Sequence, residues 1–195
     1  MPLKQICVYC GSNGGRQPEY LEQARAFGQE LVKRDIGLVY GGAAVGLMGA
    51  VADGVMQAGG RAVGIIPVSL MQKELAHRGL TELHVVQSMH ERKTMMAEQA
   101  DGFVALPGGA GTLEEIFETW TWAQLGMHRK PCGLLNIAGY YDDLARFLDH
   151  TVAEAFMRPQ HRAMLAIESD AAALLDRFAA YEPPTVSKWI IQGEH

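Results

Sequence analysis

The feature that most constrains the fold is a repeated unit: a short apolar run, a glycine-rich turn, then a longer stretch with apolar residues at helical spacing. Residues 4–10 (KQICVYC) run into GSNGGRQP, Gly37–Tyr40 into GGAAVGLMG, and Gly102–Leu106 into PGGAG. Behind the first turn, residues 19–34 carry Tyr20, Leu21, Ala24, Phe27 and Leu31 at the helical period. Further strands are expected at Arg61–Ile66, which stops at Pro67, at Leu83–Gln87 and at Cys132–Ile137. Helices are expected through Gln57, over 89–100, from about Leu113 to Leu125 and near 141–156, with a last strand–helix pair before residue 181. Strands joined through helices run parallel, with helices on both faces of the sheet. The expected fold is therefore α/β, a doubly wound parallel sheet in a single domain over residues 1–181, with 182–195 as a C-terminal tail on the surface or against a partner subunit. Such sheets bind ligands beyond the carboxyl ends of their strands, where strand order reverses, and every glycine-rich loop falls on that edge.

Composition narrows the ligand. The 195 residues suit one core, and the net charge of −5 comes from mixed acidic and basic residues without a basic stripe, so no nucleic-acid partner is expected. No apolar stretch approaches a bilayer span, and MPLKQICVYCGS does not read as a signal peptide. A cytoplasmic protein with no membrane partner is expected. Cys7 and Cys10 have CxxC spacing but end a strand, where residues three apart face opposite sides, so a redox pair is not expected. The seven histidines form no HxH or HExxH arrangement, and no metal site is expected.

Two glycine loops, Gly41 to Gly49 and Pro107 to Thr112, each join a strand to a helix. Glycines there let backbone N–H groups approach an anion, and the helix N-terminus adds partial positive charge. On this reading Gly42, Gly46, Gly108, Gly109, Ala110, Gly111 and Thr112 are phosphate-binding candidates, with the Ser12 hydroxyl of the first loop beside them. The competing reading is that glycine merely makes a tight turn. Two familiar fingerprints fail. Gly41 and Gly46 have P-loop spacing, but Leu47 and Met48 stand where Lys and Ser/Thr belong, which removes the usual triphosphate grip. Gly109-x-Gly111 opens a dinucleotide motif, yet Glu114 occupies the third glycine position. A monophosphate fits better, and no cofactor is expected.

Ser88-Met89-His90-Glu91 reads as a capping box, which puts Arg92 and Lys93 at or just past the first helical turn. Cations there oppose the helix dipole unless an anion binds beside them; otherwise they are two solvated charges. Thr112-Leu113-Glu114-Glu115 reads as a second capping box, in which Glu115 satisfies a backbone N–H. The other reading of Glu115 is chemical. A carboxylate beside a phosphate-binding turn makes sense where a cationic centre forms, such as the oxocarbenium-like ribosyl of N-glycoside cleavage, and it can also activate water.

These residues together resemble a known family. PGGxGTxxE, met here as Pro107, Gly108, Gly109, Gly111, Thr112 and Glu115, resembles the LONELY GUY (LOG) family of cytokinin riboside 5′-monophosphate phosphoribohydrolases, long labelled possible lysine decarboxylases. The similarity also takes in CVYCGS, GGAAVGLMG, IIPVSLMQKEL, MHERK and TWAQLG. It implies a Rossmann-like fold and release of free base and ribose 5-phosphate from a nucleoside 5′-monophosphate, either a cytokinin nucleotide or AMP. It implies Arg92 and Glu115 as the catalytic pair. It further implies Glu74, Lys93, the stretch Gly109 to Glu115 (with Leu113 and Glu114) and Thr121 along the substrate site, in a homodimer with the site near the interface. A decarboxylase using pyridoxal phosphate needs a Schiff-base lysine with an acidic partner, and no lysine here has such a setting in the sequence.

The alternative from another class is a nucleotide-binding module without turnover. Glu115→Gln separates the two readings of that residue. A capping role predicts a loss of under about 1 kcal/mol with activity kept, since Gln also serves in the box. A catalytic role predicts a folded, inactive protein. Thermal unfolding beside a base-release assay distinguishes them.

Overall fold

Every pairing between strands is parallel, as the alternation of strand and helix requires. The computed structural model describes residues 3–71 and 76–184. In chain order the elements are β1 (Gln5–Tyr9), α1 (Pro18–Lys33), β2 (Gly37–Tyr40), α2 (Gly46–Gln57), β3 (Ala62–Pro67), α3 (Val68–Met71) and β4 (Glu82–Val86). There follow α4 (Met89–Gln99), β5 (Gly102–Ala105), α5 (Ala110–Gln124), β6 (Cys132–Leu135), a short 3-10 turn (Ile137–Gly139), α6 (Asp142–Ala153), α7 (Pro159–Ala163), β7 (Leu165–Glu168) and α8 (Ala171–Ala179).

The strands form one sheet in the order β4-β3-β2-β1-β5-β6-β7. The chain winds outward from β1 to β4, returns through α4, and resumes beside β1 with β5. Order reverses between β1 and β5, which pair from Ile6↔Gly102 to Tyr9↔Ala105. Beyond their carboxyl ends the two following loops touch, the Gly11 N–H donating to the Pro107 carbonyl at 3.0 Å.

Alternation along the strands sends neighbouring residues into two separate cores. On one face Ile6, Val8, Leu38 and Val104 pack with Phe27 and Leu31 of α1, Val51 and Val55 of α2, and Leu174 and Phe178 of α8. On the other, Cys7, Val39, Phe103 and Leu134 pack with Met96 of α4, Ile116 and Trp120 of α5, and Leu148 of α6. The doubly wound α/β sheet expected from the sequence is therefore present, with helices on both faces. Cys7 and Cys10 fall in different cores, and all three cysteines are free and buried. Burial pushes the Cys132 thiol up to about 12 and holds the other two higher still.

The structure corrects the start of α5. It begins at Ala110 rather than near Leu113, and the capping box expected over Thr112–Glu115 is not formed. Gly109, in extended backbone, is the N-cap and supplies no side chain, so the chain enters the helix directly from the glycine turn. Thr112 and Glu115 lie inside the helix. At α4 the box forms in shifted shape. The Ser88 hydroxyl accepts the Glu91 N–H at 3.1 Å, while the Glu91 carboxylate accepts the N–H of Gln87, at 2.8 Å, rather than that of Ser88. The short helix α7 was not foreseen, whereas α3 opens the stretch SLMQKELAHRG, over which a loop and helical fragment is expected. Most of the expected C-terminal tail, from residue 185 onward, lies outside the described residues. Among the described residues no helix is long and apolar enough to cross a membrane, and no group of side chains could hold a metal ion.

Candidate active site

Where β1 and β5 end, a cavity of 480 Å³ opens, within the range of small-ligand sites. One wall is polar backbone: Gly11 to Asn13 after β1, and Pro107 to Gly109 running into the start of α5. The first helical hydrogen bond of α5 runs from the Leu113 N–H to the Gly109 carbonyl, so the amides of Ala110, Gly111 and Thr112 form the free N-terminal end. Gly109 and Gly111 face open space, which leaves that end accessible to an anion. The apolar part of the lining includes Leu70 and the methionines 48, 89 and 96.

The two glycine loops divide the work. In the loop before α2 the helix N-terminus is already occupied: the amides of Leu47 and Met48 donate to the Gly11 carbonyl at 3.0 and 3.4 Å. Gly46 makes this possible. It has φ +58, and a Cβ there would sit 2.3 Å from the Ser12 carbonyl carbon. This loop therefore packs against the β1 loop, and neither Gly42 nor Gly46 lines the cavity, whereas Ser12 does.

Arg92 and Glu115 meet across the cleft from α4 and α5. Arg92 is 6% exposed, and its Nη2 lies 3.8 Å from Glu115 Oε1, an ion pair too long for a hydrogen bond. Its Nη1 lies 3.8 Å from the Met89 sulfur, a weak acceptor, and its buried Nε has no hydrogen-bond partner. A guanidinium removed from water to this extent costs several kcal/mol unless an anion or several hydroxyls meet its donors. Gly41 is what admits it, since a Cβ there would stand 2.2 Å from Arg92 Nη2. The floor is the end of β1. Cys10 lines it, but burial, and after it the negative charge of Glu115, keep that thiol neutral and unsuited to attack.

Of the other residues expected at the site, Gly108, Gly109, Gly111, Thr112 and Glu114 line the cavity. Ala110 and Leu113 belong to the same helix start without lining it. Lys93 does not line the cavity; its ammonium pairs with Glu114 at 2.7 Å and Glu118 at 2.9 Å. Burial alone would lower its pKa, but the bonds to these carboxylates outweigh that and raise it. Thr121 lies farther along α5, in a separate hollow of 320 Å³ with Phe156 and Met157. Glu74 lies outside the described residues.

Sequence reasoning missed Gly41, the methionine wall and Tyr140. Tyr140 stands at the mouth, edge-on to Tyr20, and its hydroxyl donates to the Gly108 carbonyl at 2.6 Å, fixing the glycine turn. No spacing rule joins residue 140 to residue 108; only the adjacency of β5 and β6 does. Gly41→Ala tests the fit of Arg92. A methyl group there displaces the end of a flexible side chain, so stability changes by under about 2 kcal/mol in urea unfolding. Activity falls by about 10²-fold, because the cation leaves its place.

Comparison with known proteins gives the family and the fold. The profile of a family described as possible lysine decarboxylase matches residues 48–178. Cytokinin riboside 5′-monophosphate phosphoribohydrolase LOG7 of Arabidopsis thaliana is 50% identical over 181 residues, covering 93% of this chain and 83% of that protein. A probable enzyme of the same name from Oryza sativa subsp. japonica, LOGL9, is 49% identical, covering 93% and 80%. Among solved structures, the molybdenum cofactor carrier protein of Chlamydomonas reinhardtii superposes with a TM-score of 0.69 at 20% identity, covering 91% of this chain and 99% of that one. The molybdenum cofactor binding protein of Rippkaea orientalis gives 0.68 at 21% identity, covering 92% and 98%. At such identities the likeness is one of Rossmann-like fold. Half of all residues shared with the plant enzyme over nearly the whole chain, with PGGAGT opening onto the cleft, make this protein a member of the LOG family.

Proposed function

We propose that the protein hydrolyses the N-glycosidic bond of nucleoside 5′-monophosphates, cytokinin riboside 5′-monophosphates and AMP among them, to free base and ribose 5-phosphate. The observation that carries this reading is the buried Arg92 facing Glu115 across a cleft walled by the open N-terminus of α5. The relatives named for this reaction support it.

In the proposed reaction the 5′-phosphate rests on the amides from Gly109 to Thr112, with Ser12 opposite. Arg92 supplies its unmet donors to the phosphate or the ribose hydroxyls and holds the sugar against Glu115. As the C1′–N bond breaks, its electron pair leaves with the base and positive charge develops on the ribosyl carbon, which the Glu115 carboxylate stabilises. Water adds to C1′ and gives its proton to Glu115, and the departing base takes up a proton in turn. The methionine wall offers a pliable apolar surface to the base and its substituent. A lysine decarboxylase finds less support: no lysine among the described residues lines the cleft, and Lys93 and Lys130 are engaged by Glu114 and Glu118 and by the Ala97 carbonyl.

The assay is direct. Incubation with AMP and with isopentenyladenosine 5′-monophosphate is expected to release adenine and isopentenyladenine, and Arg92→Ala is expected to lower the rate at least about 10²-fold. Tight binding of either nucleotide with no base released would sink the hydrolase reading in favour of a binding module.

We also propose a cytoplasmic homodimer with the cleft near its interface. Three free, buried thiols suit a reducing compartment. Val68 and Met71 on α3, Leu83 and Val85 on the neighbouring β4, and Met89 at the cleft are exposed apolar side chains, the kind of surface a second copy covers. Sedimentation velocity is expected to give twice the mass of one chain, and Val85→Glu to shift it towards the monomer; a monomeric wild type refutes the dimer.

A further inference from the structure

Arg92 has one weak partner on its own helix. Met89 opens α4 and stands three residues before Arg92, the spacing that brings two side chains onto one helical face. Its thioether sulfur lies 3.8 Å from Arg92 Nη1, and both residues line the cleft. A thioether is a poor acceptor, so this contact leaves the donor available to a stronger one.

Accessibility singles Met89 out among the cleft methionines. Met48 is 7% and Met96 0% exposed, whereas Met89 is 42% exposed. A cleft that admits a nucleotide, in whatever assembly, also admits hydrogen peroxide, which is far smaller. Met71 and Met127 are exposed as well, but neither lines the cleft. Among the described residues, Met89 is thus where a reactive thioether and the buried cation meet.

Oxidation would reverse the character of this contact. The sulfur lone pair attacks one oxygen of the peroxide and the O–O bond breaks. The departing hydroxide takes up the proton that the transferred oxygen sheds, so the products are methionine sulfoxide and water. The thioether loses two electrons and the peroxide gains them. The product carries a polar oxygen one bond out from the sulfur. That oxygen fits the gap, because an N–H donating to oxygen closes to about 2.9 Å, against the 3.8 Å from Nη1 to the sulfur. A charge-assisted hydrogen bond then replaces the weak one.

We propose that Met89 is a modification site that controls the cleft: a hydroperoxide converts its thioether to a sulfoxide, whose oxygen takes a donor of Arg92 away from the ligand. The change is reversible, because methionine sulfoxide reductases remove the oxygen again. The proposal rests on the reading that Arg92 meets an anionic nucleotide.

Wild type, Met89→Leu and Met127→Leu are treated with hydrogen peroxide, and each is compared with its own untreated sample. Peptide mass spectrometry locates the added oxygen, calorimetry measures AMP binding, and steady-state kinetics measures base release. Treated wild type is expected to carry the oxygen on Met89 and to bind AMP at least about ten-fold more weakly. Met127→Leu is expected to lose affinity as wild type does, and Met89→Leu to stay within about two-fold of its untreated sample. Methionine sulfoxide reductases of both stereospecificities restore the treated wild type, whereas a thiol reductant alone does not, which separates the effect from the three cysteines. Met89 left unmodified while Met127 is oxidised would overturn the proposal. So would an equal loss in Met89→Leu, since the damage would then lie elsewhere, or unchanged AMP binding in wild type oxidised at Met89. If Met89→Leu does not fold, Met89→Gln decides, because its amide offers an oxygen acceptor like that of the sulfoxide. Untreated Met89→Gln is expected to bind AMP as weakly as treated wild type, and affinity equal to untreated wild type refutes the proposal. A wild type that binds AMP without releasing base would refute the hydrolase reading and leave the binding series intact.

Discussion

The parallel pairing of β1 with both β2 and β5 is the constraint on which the rest depends. A strand with parallel neighbours on each side sends its chain away in one direction, and the chain must come back to start on the other. The return passes through α4, and the place it leaves uncovered is the crevice beyond Tyr9 and Ala105. Both helices that bear the facing charges, α4 and α5, flank β5 and lie on the same side of the sheet. The meeting of Arg92 and Glu115 is thus a consequence of topology before it is one of side-chain chemistry.

Within the crevice, two similar stretches of sequence take different parts. The loop from Gly41 to Gly46 is structural in its helix end, since Leu47 and Met48 give their amides to Gly11, but its first glycine clears the space that Arg92 fills. The loop from Pro107 to Gly111 keeps its helix end open and is braced from outside by Tyr140 and by Gly11. One loop makes room for the cation, and the other leaves the amides at its helix start open to the cleft. A buried guanidinium whose Nε has no hydrogen-bond partner is costly to desolvate, which supports the proposal that Arg92 meets an oxygen-rich ligand.

The carboxylates of α5 meet different partners in this arrangement. Glu114, Glu115 and Glu118 lie inside the helix rather than at its N-cap, which is Gly109. Glu115 faces the guanidinium, while the other two are gathered by Lys93. Adjacent residues on one helix thereby face different cations, because successive positions point about 100° apart around the axis.

The sequence by itself determined the layered α/β architecture, the alternation of strand and helix, and part of the cleft lining, Ser12, Arg92 and Glu115 among it. Periodicity and glycine placement are local, and parallel strands joined by helices leave few topologies open. It also sufficed to separate Cys7 from Cys10, because strand alternation is local too. Only the tertiary structure decided which glycine loop keeps a free helix end, since that depends on whether a carbonyl from Gly11 fills it. The helix start at Ala110 was likewise beyond pattern reading, because Thr112-Leu113-Glu114-Glu115 satisfies the capping-box rule while Gly109 takes the cap. Arg92 and Lys93, equivalent as charges in the sequence, were parted by packing: one is buried against Gly41, and the other is bridged to a neighbouring helix. The reason is the same in each case, since contacts between residues far apart in the chain carry no periodic signal and exist only once the sheet has brought its strand ends together.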